Sequence, residues 1–154
     1  MPPTRLFAAA VLAGFASLLP AAPARACTVS ATGVAFGTYD TLSPAPDDGT
    51  GTISITCHPR VHSVEVGLST GLAGAFTGRT MLNGVAALNY NLYTDAARVT
   101  VWGDGIAAPS VTLTPGSVSA GDRTLVRTIY GRIPAQQSVP FGTYNDIIVV
   151  TLTF

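Results

Sequence analysis

The chain has 154 residues with eight arginines, no lysine and eight acidic residues, so its formal charge is zero and only 10% of its side chains are charged. That balance excludes a nucleic-acid surface, which needs clustered cations to meet phosphate. With 47% apolar residues over one domain's length, the composition fits a packed globular unit and not a disordered segment.

The first 26 residues read as an export signal. Arg5 precedes an apolar run from Leu6 to Leu19, Pro20 and Pro23 end it, and Ala24-Arg25-Ala26 puts small residues where a signal peptidase cuts. The run is shorter than the roughly 20 residues a membrane-spanning helix needs. A lipoprotein signal is disfavoured by Arg25 directly before Cys27 and by the lack of a leucine three positions ahead of it. Cleavage after Ala26 leaves one domain, residues 27–154, with six arginines against eight acids. Export also places Cys27 and Cys57 in an oxidising compartment, where they are expected to pair and close a loop of about 30 residues.

From Cys27 onward the pattern has period two. Cys27, Val29 and Ala31 share a face, and Gly33 shifts the phase so that Val34 and Phe36 follow, which predicts a bulge. Leu42 to Gly51, with two prolines and Asp47-Asp48-Gly49, reads as a turn-rich loop. Thr52 to Cys57 alternates cleanly, and His58-Pro59 breaks it. Val64, Val66 and Leu68 then point inward. Thr70 to Arg79 reads as loop, because three glycines oppose a helix. Asn83-Gly84 signals a two-residue hairpin. Leu88, Tyr90 and Leu92 alternate with polar neighbours, a short strand is expected at Val99–Trp102, and another at Val111 and Leu113 before a Pro115-Gly116 turn. Leu125 to Ile133 is strand-like, with its inward face open between Leu125/Ile129/Ile133 and Val126/Tyr130. The last stretch, Asn145 to Phe154, predicts a strand with Ile148, Val150, Leu152 and Phe154 on one face and Ile147, Val149, Thr151 and Thr153 on the other. Seven or eight short strands with regular turns and no convincing helix predict an antiparallel all-β sandwich. Val34–Asp40 is echoed by Val139–Asn145, two heptads sharing Phe-Gly-Thr-Tyr. A shared corner geometry explains the echo, and a duplicated binding motif is the sharper alternative.

No enzyme motif is present: no Gly-x-Ser-x-Gly elbow, no phosphate-cradling loop, no His-Glu-x-x-His. His58 and His62 are four apart, but in extended chain this is about 13 Å, too far to share a metal. Asp47 and Asp48 read as solvated turn acids, and no twelve-residue calcium loop occurs. The reading is of a non-enzyme without cofactor or metal.

Three segments together resemble the spore coat protein U domain family, which includes pilins of archaic (Csu-type) chaperone–usher systems. They are Cys27–Asp40, then Leu88–Arg98 with Val101-Trp102-Gly103-Asp104-Gly105, and finally Tyr130–Ala135 through Phe141-Gly142-Thr143-Tyr144 to Phe154. The resemblance implies an immunoglobulin-like β-sandwich lacking its last strand. It also implies partners: a periplasmic chaperone, an outer-membrane usher and neighbouring pilin subunits, each lending or exchanging a strand, with roles in surface attachment and biofilm. The chain would pass the inner membrane, enter the periplasm and reach the cell surface. On this reading Val29 and Phe36 from the first strand and Ile148, Val150, Leu152 and Phe154 from the last wall the acceptor groove. Because cleavage is expected directly before Cys27, and residues 20–26 are rich in Pro and Ala, an acceptor-only tip or minor subunit is expected. Two other readings stand beside it: a stand-alone coat or surface protein, and a surface-binding adhesin using exposed Trp102, Tyr93 or Phe76.

Overall fold

A computed structural model describes residues 27–114 and 121–154; the expected signal at 1–26 and the Pro115-Gly116 turn lie outside them. Eight strands form two antiparallel sheets: β1 (Cys27–Ala35), β2 (Asp47–Cys57), β3 (Val64–Leu68), β4 (Arg79–Asn83), β5 (Ala86–Tyr93), β6 (Val111–Leu113), β7 (Arg123–Ile133) and β8 (Val150–Thr153). One sheet has the order β1-β2-β7-β5-β4 and the other β6-β3-β8. They face each other as an immunoglobulin-like sandwich, and the described residues contain no helix. The core between the sheets holds Ile53 and Ile55 of β2, Val64, Val66 and Leu68 of β3, Leu92 of β5 and Ile129 and Ile133 of β7.

Alternation produces most of this. In β2 the odd positions from Gly49 to Cys57 are buried, and the cross-strand partners of a ladder share a face. The choice left open in β7 resolves toward Leu125, Ile129 and Ile133, while Val126 points to solvent. Gly84, at φ +60°, takes the first position of the tight turn that pairs Asn83 with Ala86. The expected bulge lies between Thr32 and Ala35.

Four expectations are corrected. Asp47 to Gly51 is strand, not loop, because its glycines make room for what lies on the sheet: a Cβ at Gly49 would stand 2.9 Å from a Val34 methyl, and one at Gly131 would stand 2.6 Å from the Phe36 ring. Asp48 is therefore a ladder residue and not a solvated turn acid. Arg79 opens β4 and is fully buried, whereas the glycine-rich stretch before it pointed to a loop. Val99–Trp102 contributes only one bridge, Tyr93 to Val101, because Trp102 turns inward and its indole N–H donates to the Val66 carbonyl at 2.8 Å. The closing strand is shorter than Asn145–Phe154. Asn145 bridges Leu82 of β4 and Asp146 is held by three hydrogen bonds, so the β8 ladder starts only at Val150.

Cys27 and Cys57 are bonded and face each other across the last β1–β2 rung. A bridge closing a 30-residue separation stabilises by about 3–4 kcal/mol in the chain-entropy account. The Cys27→Ser/Cys57→Ser double variant is expected to lose that amount in urea unfolding. Hydrogen exchange should accelerate first in β1, which has β2 as its only ladder partner among the described residues.

Candidate functional site

β1 pairs with β2 alone and β8 with β3 alone, so among the described residues no strand pairs with the other edge of either. These two edges belong to different sheets and flank one apolar trough. Ala31 to Val34 and Phe36 line it from the β1 side, and Ile148 and Val150 from the β8 side. Leu68, Met81, Tyr90, Leu92, Ile129 and Tyr144 form its floor, and its volume is about 380 Å³. It continues into a larger chamber of about 760 Å³ through the shared residues Val34, Phe36, Met81 and Tyr144. Unpaired backbone donors and acceptors beside an exposed apolar channel are what a further strand can satisfy.

The expected groove residues are distributed unevenly. Phe36 lines both spaces and meets the Tyr90 ring edge-to-face at 6.0 Å. Ile148 and Val150 line the trough, and Leu152 packs half-buried against the core beyond its lining. Val29 stands opposite Ile55, on the inward side of the sheet, yet is 42% exposed because nothing covers the rim there. Phe154 lies past the end of β8, is 61% exposed and does not reach the trough. The floor residues come from four other strands and loops. Alternation marked several of them as inward, but not that they would meet here.

A polar network fastens the trough's base. Arg79 donates from Nε to the Ser69 carbonyl at 2.9 Å, from Nη1 to Asn91 Oδ1 at 2.8 Å and from Nη2 to the Trp102 carbonyl at 2.7 Å. Its guanidinium also lies 5.3 Å from the centre of the Phe76 ring. Burial depresses its pKa, with Tyr90 and Asp146 opposing. Asp146 accepts from the Tyr90 hydroxyl at 2.7 Å and from the Leu72 and Ile147 amides, which ties the approach to β8 onto β5. Burial, then the bond to Asp146, pushes the Tyr90 phenol well above its usual range, so it stays a donor. Arg79 was invisible as a core residue in the sequence; the signal that could have found it is its period-two spacing from Met81, also buried.

The aromatic contacts named for an adhesin do not form a surface. Trp102 is 1% exposed, Phe76 lies against Arg79, and Tyr93 pairs with Tyr130 inside the sheet. His58 Nδ1 accepts from the Arg60 amide, and no group of three potential metal ligands gathers among the described residues.

At the far end of the β2–β7 ladder, Asp48 is clasped by Arg132 through two bonds of 2.7 and 2.8 Å and by Arg98 at 3.2 Å. The Arg132 bond holds the Asp48 carboxyl below its usual range, partly offset by burial. A group with a lowered folded pKa stabilises above its unfolded value, near 3.9, and that contribution is lost as pH falls through the folded value. Asp47 is shifted upward, first by burial and then by Asp48, so its contribution has the opposite sign and is lost as pH rises. Urea midpoints between about pH 2 and 6 are expected to fall less steeply on acidification for Asp48→Asn than for the parent chain.

The Spore Coat Protein U domain family matches residues 13–151. Protein U of Myxococcus xanthus is 36% identical over 134 residues, covering 77% of this chain and 70% of that protein. Among solved structures, the fold is similar to that in the CsuC–CsuE chaperone–tip adhesion subunit pre-assembly complex from archaic chaperone–usher Csu pili of Acinetobacter baumannii. There the TM-score is 0.56 at 21% identity, over 83% of this chain but only 39% of that one. A match over nearly all of residues 27–154, joined to that degree of identity with protein U, means that this chain belongs to the Spore Coat Protein U domain family.

Proposed function

We propose that this chain is an exported structural subunit of an archaic chaperone–usher pilus, and that it is completed by a strand lent from a partner. The family is one of structural subunits and not of enzymes. The observation that carries the proposal is the pair of free edges, β1 and β8, flanking one apolar trough. Completion of pilins by a donated strand is an established mode of strand addition, in which main-chain bonds supply affinity and side-chain pockets supply specificity. A periplasmic chaperone would lend the strand first, and an exchange at an outer-membrane usher would replace it with a segment of the neighbouring subunit. Phe36, Ile148 and Val150 would contact that strand directly, with Val29 and Leu152 at its margins. Residues 1–26 would be removed on export. Residues 20–26 are Pro- and Ala-rich and lack the alternating large apolar side chains of a donor, which supports the acceptor role of a tip or minor subunit in attachment.

The test is size exclusion of the domain secreted into a periplasm. Co-elution with a strand-lending partner, or self-association in its absence, is the expected result. A stable, soluble monomer would instead favour a free-standing coat protein. Mass spectrometry of the mature N-terminus bears on the acceptor role separately: a start well upstream of Cys27, with that segment protected in a neighbour, removes it.

A further inference from the structure

The outward face of β1, β2 and β7 is a lattice of hydroxyls. The ladders set three rungs across these strands: Thr28–Thr56–Thr124, Ser30–Ser54–Val126 and Thr32–Thr52–Thr128. Eight of the nine positions are serine or threonine, and all nine are exposed or half-exposed. The alternate positions of β2, Ile53 and Ile55, are buried in the core, so the lattice lies on the side of the sheet away from the trough. Thr32 also borders the trough at the β1 edge, and no other lattice residue lines it.

Strand propensity explains threonine here but not the lack of charge. β-Branched residues suit a pleated surface, yet an edge strand such as β1 ordinarily carries charged side chains that deter association. No lattice position is charged, and Arg123 and Arg127 of β7 fall at the alternate positions. The next charges along the same face of the β2–β7 ladder are Asp48 and Arg132, which are committed to each other and to Arg98. The hydroxyls are also held in place. Thr32 and Thr52 meet Oγ1 to Oγ1 at 2.8 Å, as do Thr56 and Thr124, and Thr32 Oγ1 accepts the Thr52 amide at 3.0 Å. A hydroxyl has one hydrogen and two acceptor sites, so each such pair still offers an O–H and a lone pair to a partner.

We propose that this lattice binds an uncharged, hydroxyl-rich polysaccharide lying across β1, β2 and β7. Fixed hydroxyls that both donate and accept match the hydroxyls of a sugar chain, and contact between two uncharged faces desolvates no ion. The size of the face points the same way. Three strands and five residues span roughly 10 by 14 Å between the outer Cα positions, far below the ~800 Å² per partner of a stable protein interface. A few sugar rings cover it. Affinity at one such face is therefore weak, and copies of the chain arrayed together bind through multivalency. The face stays open when a strand fills the trough, so this inference stands independently of the strand-acceptor reading.

Native electrophoresis of the purified chain through gels containing hydroxyethylcellulose, dextran or mannan reads the binding, with alginate as the anionic control. Retardation by at least one neutral gel, and not by alginate, is the expected result. Thr52→Val/Thr56→Val/Thr124→Val keeps shape and strand propensity but removes hydroxyls that do not line the trough. Its apparent dissociation constant is expected to rise about tenfold. Ser54→Arg, at the centre of the lattice, is expected to weaken retardation as well and does not depend on the triple variant folding. Thr151→Val/Thr153→Val makes the same exchange at exposed positions of β8 and is expected to leave binding unchanged. No retardation of the parent chain by any neutral gel overturns the proposal, as does equal retardation of the parent and the lattice variants. Retardation by alginate alone overturns it in favour of a charged ligand. Self-association in sedimentation equilibrium that the triple variant loses, without retardation in neutral gels, makes a second copy the occupant and overturns the polysaccharide.

Discussion

An alternating apolar peptide at a hundredfold excess over its dissociation constant should raise the unfolding midpoint of the β-sandwich domain by roughly 10 °C, corresponding to about 2.7 kcal/mol of linkage. Burying about five apolar side chains in the trough contributes on the order of 7–15 kcal/mol, much of it offset by ordering the peptide. Ile148→Asp places a charge on the trough wall, where Ile148 now packs half-buried against the core, and should abolish the shift. Ile147→Asp is the control: its side chain is 62% exposed and does not line the trough, and the same charge there should leave the shift intact. Loss of the shift in both variants, or in neither, would separate the stabilisation from the trough and remove the main support for strand acceptance.

Arg79→Met should destabilise the domain by about 3–5 kcal/mol, among the largest effects available to one substitution. The guanidinium satisfies the Ser69 carbonyl, the Asn91 side chain and the Trp102 carbonyl simultaneously, and methionine would leave all three acceptors without it. A buried charge is costly in itself, and a well-packed apolar replacement can recover that cost when its partners are replaced too. Here the partners remain, two of them backbone groups. Arg79→Lys should recover little, because a compact ammonium cannot reproduce three donations fixed in one plane. Urea unfolding checks both; a loss under about 1 kcal/mol for Arg79→Met would mean the acceptors find other donors.

Local rules were enough for the strands that bury one face. The alternation in Thr52–Cys57 reappears as buried and less buried sides, the apolar positions of Val64–Leu68 and Leu88–Leu92 are buried as expected although Gly67 and Asn91 between them are buried too, and the bulge after Gly33 lies where the phase changed. The rules failed where a distant group decided the local shape. Asp47 to Gly51 looks like a turn until Val34 and Phe36 are laid over its glycines. Trp102 leaves its strand for a carbonyl 36 residues earlier. The site followed the same division. Its two walls, Phe36 on one side and Ile148 and Val150 on the other, were readable from period and resemblance. Phe154 was placed there by parity alone, and the ladder ends before it. The floor is assembled from residues far apart in the chain, and the fixing of Asp146 by Tyr90 spans 56 positions, which no local pattern encodes.

The ladder between β2 and β7 is the longest among the described residues, and its rungs join residues as distant as Thr56 with Thr124 and Asp48 with Arg132, 68 and 84 positions apart. Contacts this remote form late, because a long loop must close before any rung compensates for it, and sandwiches dominated by them fold in milliseconds to seconds. During that interval β1 and β2 would stand together as little more than a disulfide-tied hairpin, with Ile53 and Ile55 uncovered. A strand-lending partner of the kind proposed above would thus act on the clock as well as on the balance of states, shielding a half-made sheet while its centre waits for β7.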